Sequence, residues 1–171
     1  MKMDMMTKIF RLFDIEIANN PVPAFDQVLE YWHVQRGQKF APSWAAFDLM
    51  AIPTPLLPYC VVVDLQPPPL PIRYRYFGSG IANSHGFEMT NKTSDDIHPV
   101  ALRNHIVGQY QAIVACRTPR LFASEIYVKW GIRLQDIVLR LPLSDDGETV
   151  SNVITFEHQD NNGDAFQDVS C

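Results

Sequence analysis

Two prolines, Pro99 and Pro119, bracket the stretch that most restricts how this 171-residue chain can fold. Pro99 stands where a first helical residue would, and Thr118-Pro119 ends the helical run, because the ring removes a donor and biases its predecessor away from helix. Between them Leu102, Ile106, Tyr110, Ile113 and Val114 fall on one side at about 100° per residue. A long helix is predicted there, and its stripe needs a core to face.

Strand signals lie on both sides of that helix. Before it, Tyr59-Cys60-Val61-Val62-Val63 is a β-branched run closed by Asp64 and Pro67-Pro68-Pro69, and Arg73 to Phe77 alternates basic with aromatic until Gly78-Ser79-Gly80. These two runs are predicted to form a hairpin. After Pro119 come Leu121 to Trp130, Leu134 to Leu143 and Thr149 to Glu157, the last two joined through Ser144-Asp145-Asp146-Gly147, whose Asp-Gly step is a strong hairpin signal. Short helical turns are expected between Ile81 and Pro99, where Gly86, Asn91, Ser94, Asp95 and Asp96 supply turn and helix-start chemistry. The order predicts an α+β domain: a five-stranded antiparallel sheet with helices on one face, any cavity lying between the two.

Upstream, Phe25, Val28, Leu29 and Trp32 recur at the i, i+3, i+4, i+7 spacing with Asp26, Gln27 and Glu30 opposite and Gly37 as a stop. This amphipathic helix covers its stripe either with its own sheet or with the same helix of a second copy, so these four residues are candidates for a homodimer contact. Asn19-Asn20-Pro21-Val22-Pro23 breaks the chain before it, and Phe13, Ile15 and Ile17 alternate with Asp14 and Glu16 in a segment that reads as a short strand or an arm. Lys39 to Pro58, with four prolines, is an irregular crossing. The division expected is an arm over 1–24, a domain over 25–158 and a polar, frayed tail over 159–171.

Composition excludes several function classes. A net charge of −5 argues against non-specific binding of nucleic acid, which needs a basic surface to release counterions. Leu49 to Val63, the most apolar stretch, is broken by prolines and too short to cross a bilayer, and no secretory h-region follows Met1, so a cytoplasmic protein without a membrane span is expected. Cys60, Cys116 and Cys171 are odd in number and widely spaced, which supports neither a disulfide framework nor a zinc site. They read as reduced thiols.

Several segments also carry a resemblance. Tyr31-Trp32 with Arg36-Gly37, Leu56-Leu57-Pro58 leading to Val63-Asp64, Arg75-Tyr76-Phe77-Gly78-Ser79-Gly80-Ile81, Gly86, and Leu141-Pro142-Leu143-Ser144-Asp145-Asp146-Gly147 occur in an order that resembles the PAS fold, in particular a stand-alone subfamily common in alphaproteobacteria. The resemblance spans about Phe25 to Phe156. Two positions depart from it. Thr90-Asn91 stands where the family usually has Thr-Gly, a mild exchange because Asn is the non-glycine residue best able to occupy the left-handed region. Trp44 stands where the family often has an arginine, so no anion-binding role carries over to it.

The resemblance implies a bacterial sensor or protein-interaction module that takes up an unknown small molecule and acts on a separate signalling protein. The alternative is a ligand-free adaptor acting through its sheet or amino-terminal helix. The pocket candidates, chosen by geometry alone, are Leu102, Ile106, Gln109, Tyr110 and Ile113 on the long helix and Tyr76, Phe122, Ser124, Ile126, Val138 and Ile154 on strands. Gln109, Tyr110 and Ser124 are the members able to orient a ligand.

No enzymatic cluster is evident. Gly78-Ser79-Gly80 lacks the glycine two positions before the serine that a nucleophile elbow needs, since Phe77 stands there, and the same glycines lack a dinucleotide-loop spacing. His98 and His105 are about 10 Å apart along a helix axis, too far to share a metal, so no metal site is expected. The cofactor is unknown from the sequence, and none is expected to be tightly bound. His105 is the one residue that could ligate a haem, as some PAS sensors do through this helix, although the helical count puts it about 120° from the stripe. Ile72, Tyr74 and Tyr76 are read on one strand face, with Arg73 and Arg75 solvated on the other.

Overall fold

The stripe between the two prolines does face a sheet. In a computed structural model describing residues 8–67, 71–128 and 132–160, the chain runs β1 (Lys8–Ile15), α1 (Pro23–Arg36), β2 (Cys60–Asp64), β3 (Arg73–Phe77), α2 (Ser79–His85), α3 (Val100–Cys116), β4 (Arg120–Val128), β5 (Ile132–Leu143) and β6 (Asn152–Asp160). All strand pairs are antiparallel, in the order β1-β4-β5-β6-β2-β3. The β2–β3 hairpin therefore docks beside the last strand, and β4, β5 and β6 form a meander. Residues 161–171 of the expected tail lie outside the described residues.

The sheet has six strands, one more than the sequence pattern predicts. The extra strand comes from the segment that reads as a short strand or an arm: β1 pairs along β4, from Lys8 opposite Tyr127 to Ile15 opposite Leu121. Its backbone groups find partners on what would otherwise be the free edge of β4.

Both faces are covered, because a strand presents alternate residues to opposite sides. One side carries Cys60, Val62, Leu121, Ala123, Ile137, Leu139, Leu141, Ile154 and Phe156, packed under α1 and the crossing segment. That segment winds as 3-10 turns at Trp44–Ala46, Leu49–Ala51 and Thr54–Tyr59. The other side carries Val61, Val63, Phe122, Val138 and Val153 under α2 and α3.

The apolar stripe of α1 is covered within the chain. Phe25, Val28, Leu29 and Trp32 are 0%, 0%, 6% and 2% exposed, packed on their own sheet. The Trp32 indole N–H donates to the Pro142 carbonyl at 2.9 Å, anchoring the helix to β5. These four side chains are thus not available as a dimer surface; burying an apolar stripe on the nearer partner is the less costly solution. On α3, Leu102, Tyr110 and Ile113 are buried as expected, whereas Val114 is exposed.

Candidate functional site

Between α3, α2 and the sheet lies a partly open cavity of about 90 Å³. Its floor is made by strand register. Ser124 on β4 lies opposite Asp136 on β5, Val138 lies opposite Glu157 on β6, and Arg140 lies opposite Thr155, which neighbours Val61 on β2. Because side-chain direction alternates, Asp136, Val138 and Arg140 all rise on the cavity side while Ile137, Leu139 and Leu141 point to the α1 side. The walls are Leu102, His105, Ile106, Gln109 and Tyr110 from α3, Ile81 and His85 from α2, and Tyr74 and Phe77 from β3.

Of the candidates from sequence, Leu102, Ile106, Gln109, Tyr110, Ser124 and Val138 line this cavity. Four do not. Tyr76 is 40% exposed, its hydroxyl reaching the Leu57 carbonyl at 3.4 Å. The reason is a bulge: Val62 pairs with Tyr76 but Val63 pairs with Tyr74, so Arg75 is an extra residue and the alternation shifts phase. Tyr74 and Phe77 take the inward positions instead. Ile154 belongs to the opposite core and Thr155 holds the cavity position, since a one-residue offset exchanges the faces. Ile113 and Phe122 are packed in the apolar core beside the cavity. The side chain of Ile126 lies outside the described residues.

A polar network crosses the cavity. Arg140, 6% exposed, donates through Nε and Nη2 to Gln109 Oε1 at 2.9 and 2.7 Å and through Nη1 to Thr155 Oγ1 at 2.8 Å, with its guanidinium 4.2 Å from the centre of the Tyr110 ring. With its oxygen occupied by Arg140, Gln109 turns its amide N–H₂ to His105 Nε2 at 2.9 Å. The imidazole therefore accepts through Nε2 and carries its proton on Nδ1. Burial and the nearby Arg140 both hold the pKa of His105 down, consistent with a neutral ring.

This geometry revises the placement of His105 and tells against haem. The residue lies on the cavity wall, not away from it. Its Nε2 lone pair is committed to Gln109, and about 90 Å³ is well below the roughly 300–1,000 Å³ of pockets that hold drug-sized ligands. The site fits several waters or a compact molecule of a few heavy atoms.

A second group carries no sequence motif. His85 Nε2 lies 3.0 Å from Glu157 Oε1 and 4.0 Å from Asp136 Oδ2. Burial opposes charge on His85, but the two carboxylates outweigh it and lift its pKa to about 9. Burial and then the neighbouring Glu157 push Asp136 well above the usual carboxylate range. Glu157 is also pushed up by burial, but His85, Asp136 and the charge of Arg140 together more than offset this and bring it below its ordinary value. His85 and Glu157 are 72 positions apart along the chain, a separation that no local pattern bridges. Only alternation within β5 and β6 hints that Asp136, Arg140 and Glu157 rise on one face.

A family model described as PAS domain matches residues 21–155. This chain belongs to the PAS domain family. PAS domains are generally sensory or signalling modules without catalytic activity of their own, and the α+β sheet with its helical excursion between β3 and β4 agrees with that fold. No curated protein matches the chain. Among the described residues of this PAS domain, no helix is long and apolar enough to cross a membrane.

The motifs that carry the resemblance do not line the cavity floor. The Tyr31 hydroxyl accepts from the Asp48 amide at 3.0 Å, Trp32 bonds to Pro142, and Asp145 Oδ1 accepts from the Trp44 amide at 3.0 Å. They tie α1 and the crossing segment to the sheet. Trp44 itself is covered by the Arg75 guanidinium, 4.9 Å from its ring centre, while Arg75 pairs with Asp64 at 2.9 Å.

Proposed function

We propose that this PAS domain is a sensor that takes a compact, carboxylate-bearing molecule into the cavity between α3 and the sheet and passes the resulting change to a separate signalling protein. The observation that carries this is Arg140. A buried guanidinium normally has an anionic partner, yet among the described residues no carboxylate lies within 4.0 Å of this one, and its donors reach only the neutral oxygens of Gln109 and Thr155. An anion entering the cavity gains a bidentate, charge-assisted contact that Gln109 supplies only in part. Gln109, once released, frees the His105 wall of α3, which gives the helix a reason to shift. The order of the sequence motifs favours the alphaproteobacterial subfamily, and the module works without catalysis of its own.

The test is titration calorimetry with short mono- and dicarboxylates, together with native mass spectrometry of the protein purified from its host. Binding by at least one member is expected, weakened about tenfold or more in Arg140→Gln, since a charge-assisted pair contributes about 1.5–3 kcal/mol. A bare chain in the host preparation, together with no heat from any acid in the panel, would overturn the reading.

A further inference from the structure

Beside Arg140, and independent of the sensory reading, the His85 cluster has the form of an ion site. Its three members come from three elements. Gly86, at φ 78°, ends α2 in the left-handed conformation, so His85 occupies the last turn of that helix, over the sheet. Asp136 and Glu157 are diagonal neighbours on β5 and β6, because Asp136 pairs with Gln159 and Val138 with Glu157. One imidazole nitrogen and one oxygen from each carboxylate lie within 4.8 Å of one another. A cation with bonds of about 2.0–2.2 Å holds adjacent ligand atoms about 3.0–3.5 Å apart. The 3.0 Å separation of His85 from Glu157 already fits, and the 4.0 Å separation from Asp136 needs only a small side-chain rotation.

A second observation concerns the other oxygen of Asp136, since Oδ2 is the one 4.0 Å from His85. Asp136 is 1% exposed, lines the cavity, and its Oδ1 has no hydrogen-bond partner among the described residues. A buried carboxylate oxygen without a donor is uncommon, and a cation is one of the partners that satisfies it.

We propose that His85, Asp136 and Glu157 bind one divalent transition-metal ion of the zinc type. The donor set decides the class. A partly buried imidazole nitrogen favours zinc, cobalt or nickel over magnesium and calcium, which prefer oxygen alone. Three protein ligands leave at least one coordination position for a water or a small anion, as in open zinc sites. Because Asp136 and Glu157 line the cavity, that position faces the same space as Arg140.

The experiment uses the full chain, stripped with a chelator, and the metal alone. Calorimetry with Zn²⁺ is expected to give one equivalent bound. Asp136→Asn, Glu157→Gln and His85→Gln should each weaken it by about 100-fold or more, beyond the roughly 10–100-fold cost of losing a residue that merely orients a ligand. His33→Ala, on the exposed side of α1, should leave it unchanged. If a variant fails to fold, X-ray absorption of the zinc-loaded wild type decides: one imidazole nitrogen with oxygen ligands at about 2.0–2.2 Å supports the site. No uptake at one equivalent, affinity unchanged in all three variants, or a shell of several imidazoles or sulfurs would overturn it. Failure here leaves the carboxylate titration unaffected, and the reverse holds too.

Discussion

The thiols of Cys60 and Cys116 sit in opposite surroundings. Cys60 is fully buried in β2, and burial pushes its pKa up to about 12. At Cys116 burial also raises the pKa, but the Thr118 hydroxyl and backbone and the nearby Arg120 outweigh it and bring the thiol below its ordinary value. The thiolate is the reactive form, so in a Cys171→Ser background one site should alkylate in the native state, Cys116, with Cys60 following only on unfolding. Peptide mapping after timed alkylation checks this, and equal rates would contradict it. Asp146 supplies a pH prediction. The Thr149 hydroxyl and amide, the Glu148 amide and the Ser144 hydroxyl hold its carboxyl well below the usual range. A depressed folded-state pKa adds stability that is present above the unfolded value near ~4 and is lost as pH falls below it. Melting temperature should therefore drop between about pH 5 and 2, and Asp146→Ala should flatten that limb.

Among the elements, the junction of β3 with α2 is closely packed. A Cβ on Gly78 would lie 2.1 Å from the Pro58 carbonyl oxygen, which is backbone and cannot rotate away. Gly78→Ala should cost about 3 kcal/mol by overpacking, measured by urea denaturation. Gly108 on α3 is the contrast, since a Cβ there meets nothing within 4 Å among the described residues. Gly108→Ala should stabilise by about 0.5–1 kcal/mol. Much at this scale is legible in the sequence. The helix between Pro99 and Pro119, the hairpin ending at Gly78 and the meander after it all carry periodicity or turn chemistry, and Asn91 does adopt φ 65° as its side chain permits. The bulge at Arg75 is not legible, because an extra residue has no compositional mark, and it moves Tyr76 out of the site and Phe77 in, while Tyr74 keeps the inward face. The β5–β6 connection is also longer than the Asp-Gly step suggests: Asp146 accepts bonds from Glu148 and Thr149, and pairing resumes only at Leu143 opposite Asn152.

For the whole molecule, β1 forms one edge of the sheet and covers β4. Deleting residues 1–16 would strip β4 of its partner and remove Ile15, which is 6% exposed in the core under α1. An unpaired flat edge recruits other chains, so the truncated protein should shift to higher mass with concentration in light scattering, relative to the full chain. An unchanged mass would mean that the edge is protected otherwise.

What the sequence determined by itself was local: where helices start and stop, which residues share a face, and the order that identifies a PAS domain. Those signals are short-range, since hydrophobic period, proline and glycine act on neighbouring residues. The site is long-range. His85, Gln109, Asp136, Arg140 and Glu157 meet only once β5 pairs with β6 and α2 and α3 close over them, and of these the sequence singles out Gln109 alone, the other four reading as ordinary polar residues. Likewise α1 carried an apolar stripe with two candidate partners, and only packing decided that its own sheet takes it. The tertiary structure turned scattered polar residues into a charged cavity because burial, not sequence spacing, sets which of them must find a partner.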